Sequence, residues 1–111
     1  MLNWPCIIKH SDDPELVYVR SQSDWDGDAD LHAFEYADSD FLVDSSGNVY
    51  TLTLRRDGHA RPEPTGRAMR LAEILGLVKA HAAHKGSCCV AKLYAPTITA
   101  AFGIVESMED S

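Results

Sequence analysis

The sequence predicts an α+β domain: a single antiparallel, mostly hairpin-built sheet of about five strands with two main helices packed on one face. Three observations lead there. Two pairs of short β-rich runs are each joined by turn chemistry, one long stretch repeats its apolar residues at three-four spacing, and a second stretch near the C-terminus does so again. Hairpins pair their strands antiparallel, and helices laid on one face of one sheet bury both apolar stripes economically. With 111 residues there is room for one core, so residues 1–111 are read as a single domain.

Each element has a local reason. Cys6-Ile7-Ile8-Lys9 is a short apolar strand. Ser11-Asp12-Asp13-Pro14 turns the chain, because Asp side chains mimic a turn and Pro fixes φ. Leu16 to Arg20, rich in β-branched and aromatic residues, completes a first hairpin. Ser21 to Asp30 is polar and contains Gly27, which reads as a loop. Asp30 to Ala37 reads as a short helix with Leu31, Phe34 and Ala37 on one face. Phe41 to Asp44 and Val49 to Leu54 flank Ser45-Ser46-Gly47-Asn48 and form the second hairpin. The alternation of its second run turns Tyr50, Leu52 and Leu54 to the core.

Asp57 to Gly66 holds two prolines and two glycines and reads as an irregular surface connection. Thr65 is the expected N-cap of the main helix, about 66–85, whose stripe is Ala68, Leu71, Leu75, Val78 and Ala82, widened by Ile74 and Leu77. Lys79 and Lys85 suit its C-terminal dipole, and Gly86 suits the position just beyond it. Cys88 to Tyr94 reads as a strand. A C-terminal helix follows at about 97–108, capped by Thr97, with Ile98, Ala101, Phe102, Val105 and Met108 on one face. An edge strand at Thr97-Ile98-Thr99 is the alternative, but three-four spacing sustained over ten residues favours the helix.

Charge separates the chain into halves. Eleven of its seventeen acidic residues lie between Asp12 and Asp44, where Arg20 is the only Lys or Arg, so residues 11–44 form an acidic segment. From Ser45 to Lys92 there are eight Lys or Arg against three acids. The formal net charge is −7. An acidic patch repels nucleic acid and anionic lipid and attracts cations or a basic protein surface. No apolar run approaches the roughly 18 residues of a membrane span. The N-terminal residues lack the pattern of a secretory signal, and three cysteines with an adjacent pair are no secreted disulfide framework, so a cytoplasmic protein is expected.

The strongest candidate surface is the acidic segment itself, with Asp24, Trp25, Asp26, Asp28, Asp30, Asp38 and Asp40 as partner-binding residues and an exposed Trp25 as their aromatic anchor. Asp24 to Glu35 also resembles a calcium loop, with Asp24, Asp26, Asp28 and Glu35 at positions one, three, five and twelve. The match is incomplete, because the diagnostic Gly belongs at position six, where Ala29 stands, and a strand rather than a helix precedes it. A solvated acidic loop capping a helix explains the same residues. His81, His84, Cys88 and Cys89 have the chemistry of zinc ligands, but adjacent cysteines in a strand point to opposite faces, and histidines near a helix C-terminus need no metal. A nucleophile at Cys6 or Cys88 with a histidine base lacks any surrounding signature, and buried thiols are the simpler reading. Arg55, Arg56, Arg61, Arg67 and Arg70 form the basic counterpart, suited to a phosphate, an acidic partner or plain solvent. Trp4 and Trp25 are both expected in the core or at its rim, and an exposed Trp25 amid the aspartates would instead serve as a contact residue.

Several short stretches carry a family resemblance: Trp4-Pro5 with Ile7-Ile8-Lys9, Leu16-x-Tyr18, Asp28-Ala29-Asp30-Leu31, Leu42-Val43-Asp44 with Ser46-Gly47, and Gly86 with Cys88-Cys89-Val90-Ala91-Lys92. Together they resemble the DUF4144 type of small bacterial proteins, over almost the whole chain. The resemblance implies a single domain of unknown function and transfers no activity, cofactor or site residue. The functional expectation is therefore a non-enzymatic interaction module that meets a basic protein surface, one version being an inhibitor or immunity protein. Calcium binding through Asp24 to Glu35 is the alternative.

Overall fold

The computed structural model describes residues 2–33, 36–54, 60–86 and 90–108. Five strands, β1 (Cys6–Lys9), β2 (Leu16–Val19), β3 (Phe41–Asp44), β4 (Asn48–Leu54) and β5 (Ala60–Ala68), form one antiparallel sheet in the order β2-β1-β3-β4-β5. Among the described residues four α-helices accompany it: α1 (Gln22–Gly27), α2 (Ala29–Ala33), α3 (Leu71–His84) and α4 (Ile98–Met108). Both expected hairpins are present, β1 with β2 and β3 with β4. Because β3 pairs with the other side of β1, the chain leaving β2 crosses β1 through α1 and α2 before it re-enters the sheet.

Strand alternation gives the sheet two buried faces. Ile7, Leu16, Val43 and Val49 face α3 and α4, where Ile74, Val78, Phe102 and Val105 complete the main core. Cys6, Ile8, Val19, Leu42, Tyr50 and Leu52 face the other way and close over Trp25 of α1, with Leu31 and Tyr36 packed alongside. The two main helices do share one face. Tyr50 and Leu52 are buried as expected, but on the opposite face, against the crossover (the Leu54 side chain lies outside the described residues). A sheet covered on both sides removes apolar residues of either parity from water, which is why Val49 and Tyr50 are both buried.

Four sequence expectations are corrected. Residues 22–27 are a helix rather than a loop, because the Ser21 side chain accepts the Asp24 N–H at 3.2 Å and caps it. The short helix expected at Asp30 to Ala37 is itself present, as Ala29–Ala33, and residues 34 and 35 lie outside the described residues. The connection expected through Gly66 is strand β5 from Ala60 onward. Pro62 and Pro64 lie opposite Leu52 and Tyr50 on an edge strand, and residues of that one parity turn their N positions outward, so the ladder to β4 loses no donor. The main helix therefore starts at Leu71, not near 66. Arg70 is its N-cap, with its N–H donated to Glu73 Oε1 at 3.2 Å, while the Thr65 hydroxyl donates across the sheet to the Val49 carbonyl at 2.7 Å.

The fourth correction concerns the expected strand Cys88 to Tyr94. Val90–Lys92 is a 3-10 turn, and Cys88 and Cys89 lie outside the described residues. The C-terminal helix is present, with the Thr97 hydroxyl accepting the Ala100 N–H at 3.1 Å, and Gly86 follows α3 at a φ of 79°. Gly47 has φ 88°, and a Cβ there would lie 2.5 Å from the Met69 carbonyl oxygen. Only glycine serves this turn, whose carbonyl accepts the Met69 N–H at 2.7 Å.

Candidate functional site

The crossover is assembled around Trp25 and His32. Trp25 is 3% exposed and anchors α1 to the sheet. His32 Nδ1 accepts the Ala60 N–H at 3.0 Å, so the neutral ring carries its proton on Nε2, which donates to the Trp25 carbonyl at 2.8 Å. The His32 ring also stands edge-on to the indole, with centroids 5.0 Å apart. One imidazole thus ties α2 to α1 and to β5. The Asp28 carboxylate accepts the Leu31 N–H at 3.3 Å and settles the start of α2.

Held this way, α1 and α2 stand beside β2 and enclose a groove of about 560 Å³. One side is the strand from Val17 to Arg20. The other is formed by Ser23, Asp24, Gly27, Asp28, Ala29 and Leu31. Two acidic residues, Asp24 and Asp28, therefore line one wall. Arg20 lines the groove as well, but its guanidinium is bridged to Glu106 of α4 at 3.3 Å. Among the described residues the Asp24 carboxylate makes no hydrogen bond or ion pair. Asp26 is exposed and accepts from Gln22 Nε2 at 3.0 Å; Asp38 is exposed and does not line the groove; Asp30 lies in α2.

Asp40 is a correction to the expected contact set, since it is buried, and Trp25 is the core anchor of its two readings rather than an exposed contact residue. Asp40 accepts the Ser11 N–H at 2.8 Å and the Ala37 N–H at 2.9 Å, and approaches His10 Nδ1 at 3.4 Å. Burial would raise its pKa, but these hydrogen bonds outweigh it and hold the carboxyl below its ordinary value. Asp40 fastens the β1–β2 turn to the entry of β3 and cannot reach a partner.

Among the described residues the calcium geometry is not formed. Asp24 and Asp26 lie within helix α1, and residues two apart on a helix point about 200° from each other rather than towards one ion. Glu35 lies outside the described residues, and among those described no three His, Cys, Asp or Glu side chains gather in a way that could hold a metal. His81 and His84 share α3, but His81 is buried with Nδ1 accepting the Leu16 N–H at 2.8 Å, while His84 is exposed. Cys6 is fully buried, and burial, reinforced by the neighbouring Asp44 charge, pushes its thiol up to about 12, the reverse of nucleophile activation. Arg61 and Arg67 are exposed on β5 and Arg70 caps α3, whereas Arg55 and Arg56 lie outside the described residues. Trp4 is half-buried against the second core.

Sequence reasoning missed three buried polar anchors: His32, His81 and Asp44. Asp44 is 0% exposed and accepts the Ser46 and Asn48 N–H groups, both at 3.0 Å, the Asn3 N–H at 3.3 Å and the Tyr50 hydroxyl at 3.3 Å. Its signal was available, because an Asp ahead of Ser-Ser-Gly-Asn is the residue that bonds its own turn.

The DUF4144 family model, described as a protein structure with unknown function, matches residues 4–105. The chain belongs to the DUF4144 family. Among solved structures, this DUF4144 protein is similar to the NMR structure of a protein from Shewanella Amazonensis, at 26% identity and a TM-score of 0.72, over 98% of this chain and 91% of that one. No curated protein matches it. Within the described residues no helix is long and apolar enough to cross a membrane.

Proposed function

We propose that this DUF4144 protein is a non-enzymatic interaction module whose α1–α2 crossover presents an acidic face to a basic protein surface. The observation that carries the reading is the placement of Asp24, Asp26 and Asp28, all exposed, on one short crossover fixed to the sheet by buried Trp25 and His32. A rigid scaffold holding like charges toward solvent favours an oppositely charged partner and steers its approach. The buried Cys6 thiol and the two histidines committed to backbone hydrogen bonds support a binding role over a catalytic one. An inhibitor or immunity protein, whose carboxylates replace nucleic-acid phosphates on a nuclease, is the version with the most specific partner.

Affinity capture tests the reading. Wild type and the Asp24→Asn/Asp26→Asn/Asp28→Asn variant are compared as baits at low and physiological salt, and each retained protein is purified and titrated back. The reading expects a partner whose affinity falls steeply in the variant, more so at low salt. Equal affinity for both baits sinks it.

A further inference from the structure

We infer that the groove beside β2 receives an extended segment of a partner protein, with an Arg or Lys of that segment seated between Asp24 and Asp28. The inference rests on the acidic-face reading and narrows it to one place and one kind of occupant. Three features select the occupant. The groove follows four consecutive residues of an edge strand, Val17 to Arg20, a span of roughly 13 Å that matches an extended segment of about four residues. Its volume of about 560 Å³ is within the range of sites that hold ligands, yet it lies open beside a strand, as suits a chain that enters and leaves. Its walls combine the apolar Val17 and Leu31 with the two carboxylates, which matches the aliphatic stem and cationic head of Arg or Lys.

The charge balance points the same way. The groove's own cation, Arg20, is drawn toward Glu106 on α4 rather than toward Asp24, with which it shares the lining. An incoming guanidinium would make charge-assisted hydrogen bonds to Asp24, with the negative charge of Asp28 beside it in the groove lining. On the opposite edge, Pro62 and Pro64 of β5 lack the N–H groups that a docking strand would use.

Binding of synthetic probes to the isotopically labelled full-length chain tests this by NMR titration. The probes are an alternating Arg-Val octapeptide, its Glu-Val counterpart, and spermidine. Expected are shifts centred on residues 17–31, binding of Arg-Val at least tenfold tighter than of either other probe, and a further tenfold loss in Asp24→Asn/Asp28→Asn. Asn at 28 keeps the side-chain oxygen that caps α2, so the variant retains the fold, which its own spectrum verifies. Asp38→Asn, outside the groove, should leave binding within twofold of wild type. Equal weakening by Asp38→Asn overturns the groove and leaves the broader acidic face standing. Spermidine binding as tightly as Arg-Val overturns the extended segment. Failure of wild type to bind any cationic probe overturns both readings.

Discussion

The Leu16 N–H donates to Nδ1 of His81 at 2.8 Å, joining the first residue of β2 to the last turn of α3. The bond requires a neutral ring, and Nε2, which then carries the proton, is buried and has no partner among the described residues. Burial, reinforced by Lys85 and opposed by Glu15, holds the His81 pKa below its ordinary value. The unfolded chain therefore binds this proton more readily than the folded one. The contribution of His81 to stability is whole above roughly pH 6.5, the unfolded value, and is lost as pH falls from there through the lower folded value. Denaturant midpoints measured from pH 8 to pH 5 should fall in wild type and vary less in His81→Gln. An equally steep fall in the variant rules out His81 as the source. At pH 8, His81→Leu leaves a buried N–H without an acceptor and should cost about 1–3 kcal/mol.

Asp44 converts the β3–β4 turn into a cooperative unit. Asp44→Ala strips the acceptor from three backbone N–H groups and the Tyr50 hydroxyl at once. A loss of about 3 kcal/mol or more is expected in urea unfolding, given the worth of hydrogen bonds to a buried charge. Tyr50→Phe removes a single donor and should lose about 1 kcal/mol. Similar losses for the two would mean that the carboxylate does not organise the turn.

Trp25 and the exposed aspartates should separate stability from binding. Trp25→Ala empties the second core and is expected to cost about 3–5 kcal/mol. Asp24→Asn, at a carboxylate that makes no hydrogen bond or ion pair among the described residues, should stay within about 0.5 kcal/mol of wild type. Thermal melts of the two variants check this, and a Trp25→Ala protein as stable as wild type would place the indole outside the core.

Pro62 and Pro64 guard an edge. Replacing both with Thr restores two outward N–H groups along β5. The double variant should self-associate with rising concentration in light scattering, whereas wild type should not differ between dilute and concentrated samples by this route. A variant as monodisperse as wild type would show that the edge is protected by other means.

Legibility in the sequence followed how much of an element's logic is local. Helix α3 announced itself because Leu71, Leu75, Val78 and Ala82 repeat at its period, and the β3–β4 hairpin because Gly47 marks its turn. Strand β5 was hidden because Pro62 and Pro64 break strands everywhere except at an edge, and edge position is a property of the assembled sheet. Helix α1 has one buried residue in six, so it shows no apolar period, and only Ser21 hinted at its start. Within the site, Asp24 and Asp28 were visible as charges, but the groove they line exists only because the crossover lies against β2. Asp40 looked like its neighbours and was withdrawn inward by two backbone N–H groups, one from its own turn at Ala37 and one from the distant turn at Ser11.

Strand order has a consequence for synthesis. β1 precedes the other four strands in the chain, and the sheet can grow outward from it: β2 joins one side, β3 the other, β4 joins β3, and β5 joins β4. Each newly made strand meets an edge that already exists, and none must wedge between two paired neighbours. The nascent chain can therefore add to a partly built sheet in the order in which it is translated, with the proline-bearing strand arriving last among the five to close the growing side.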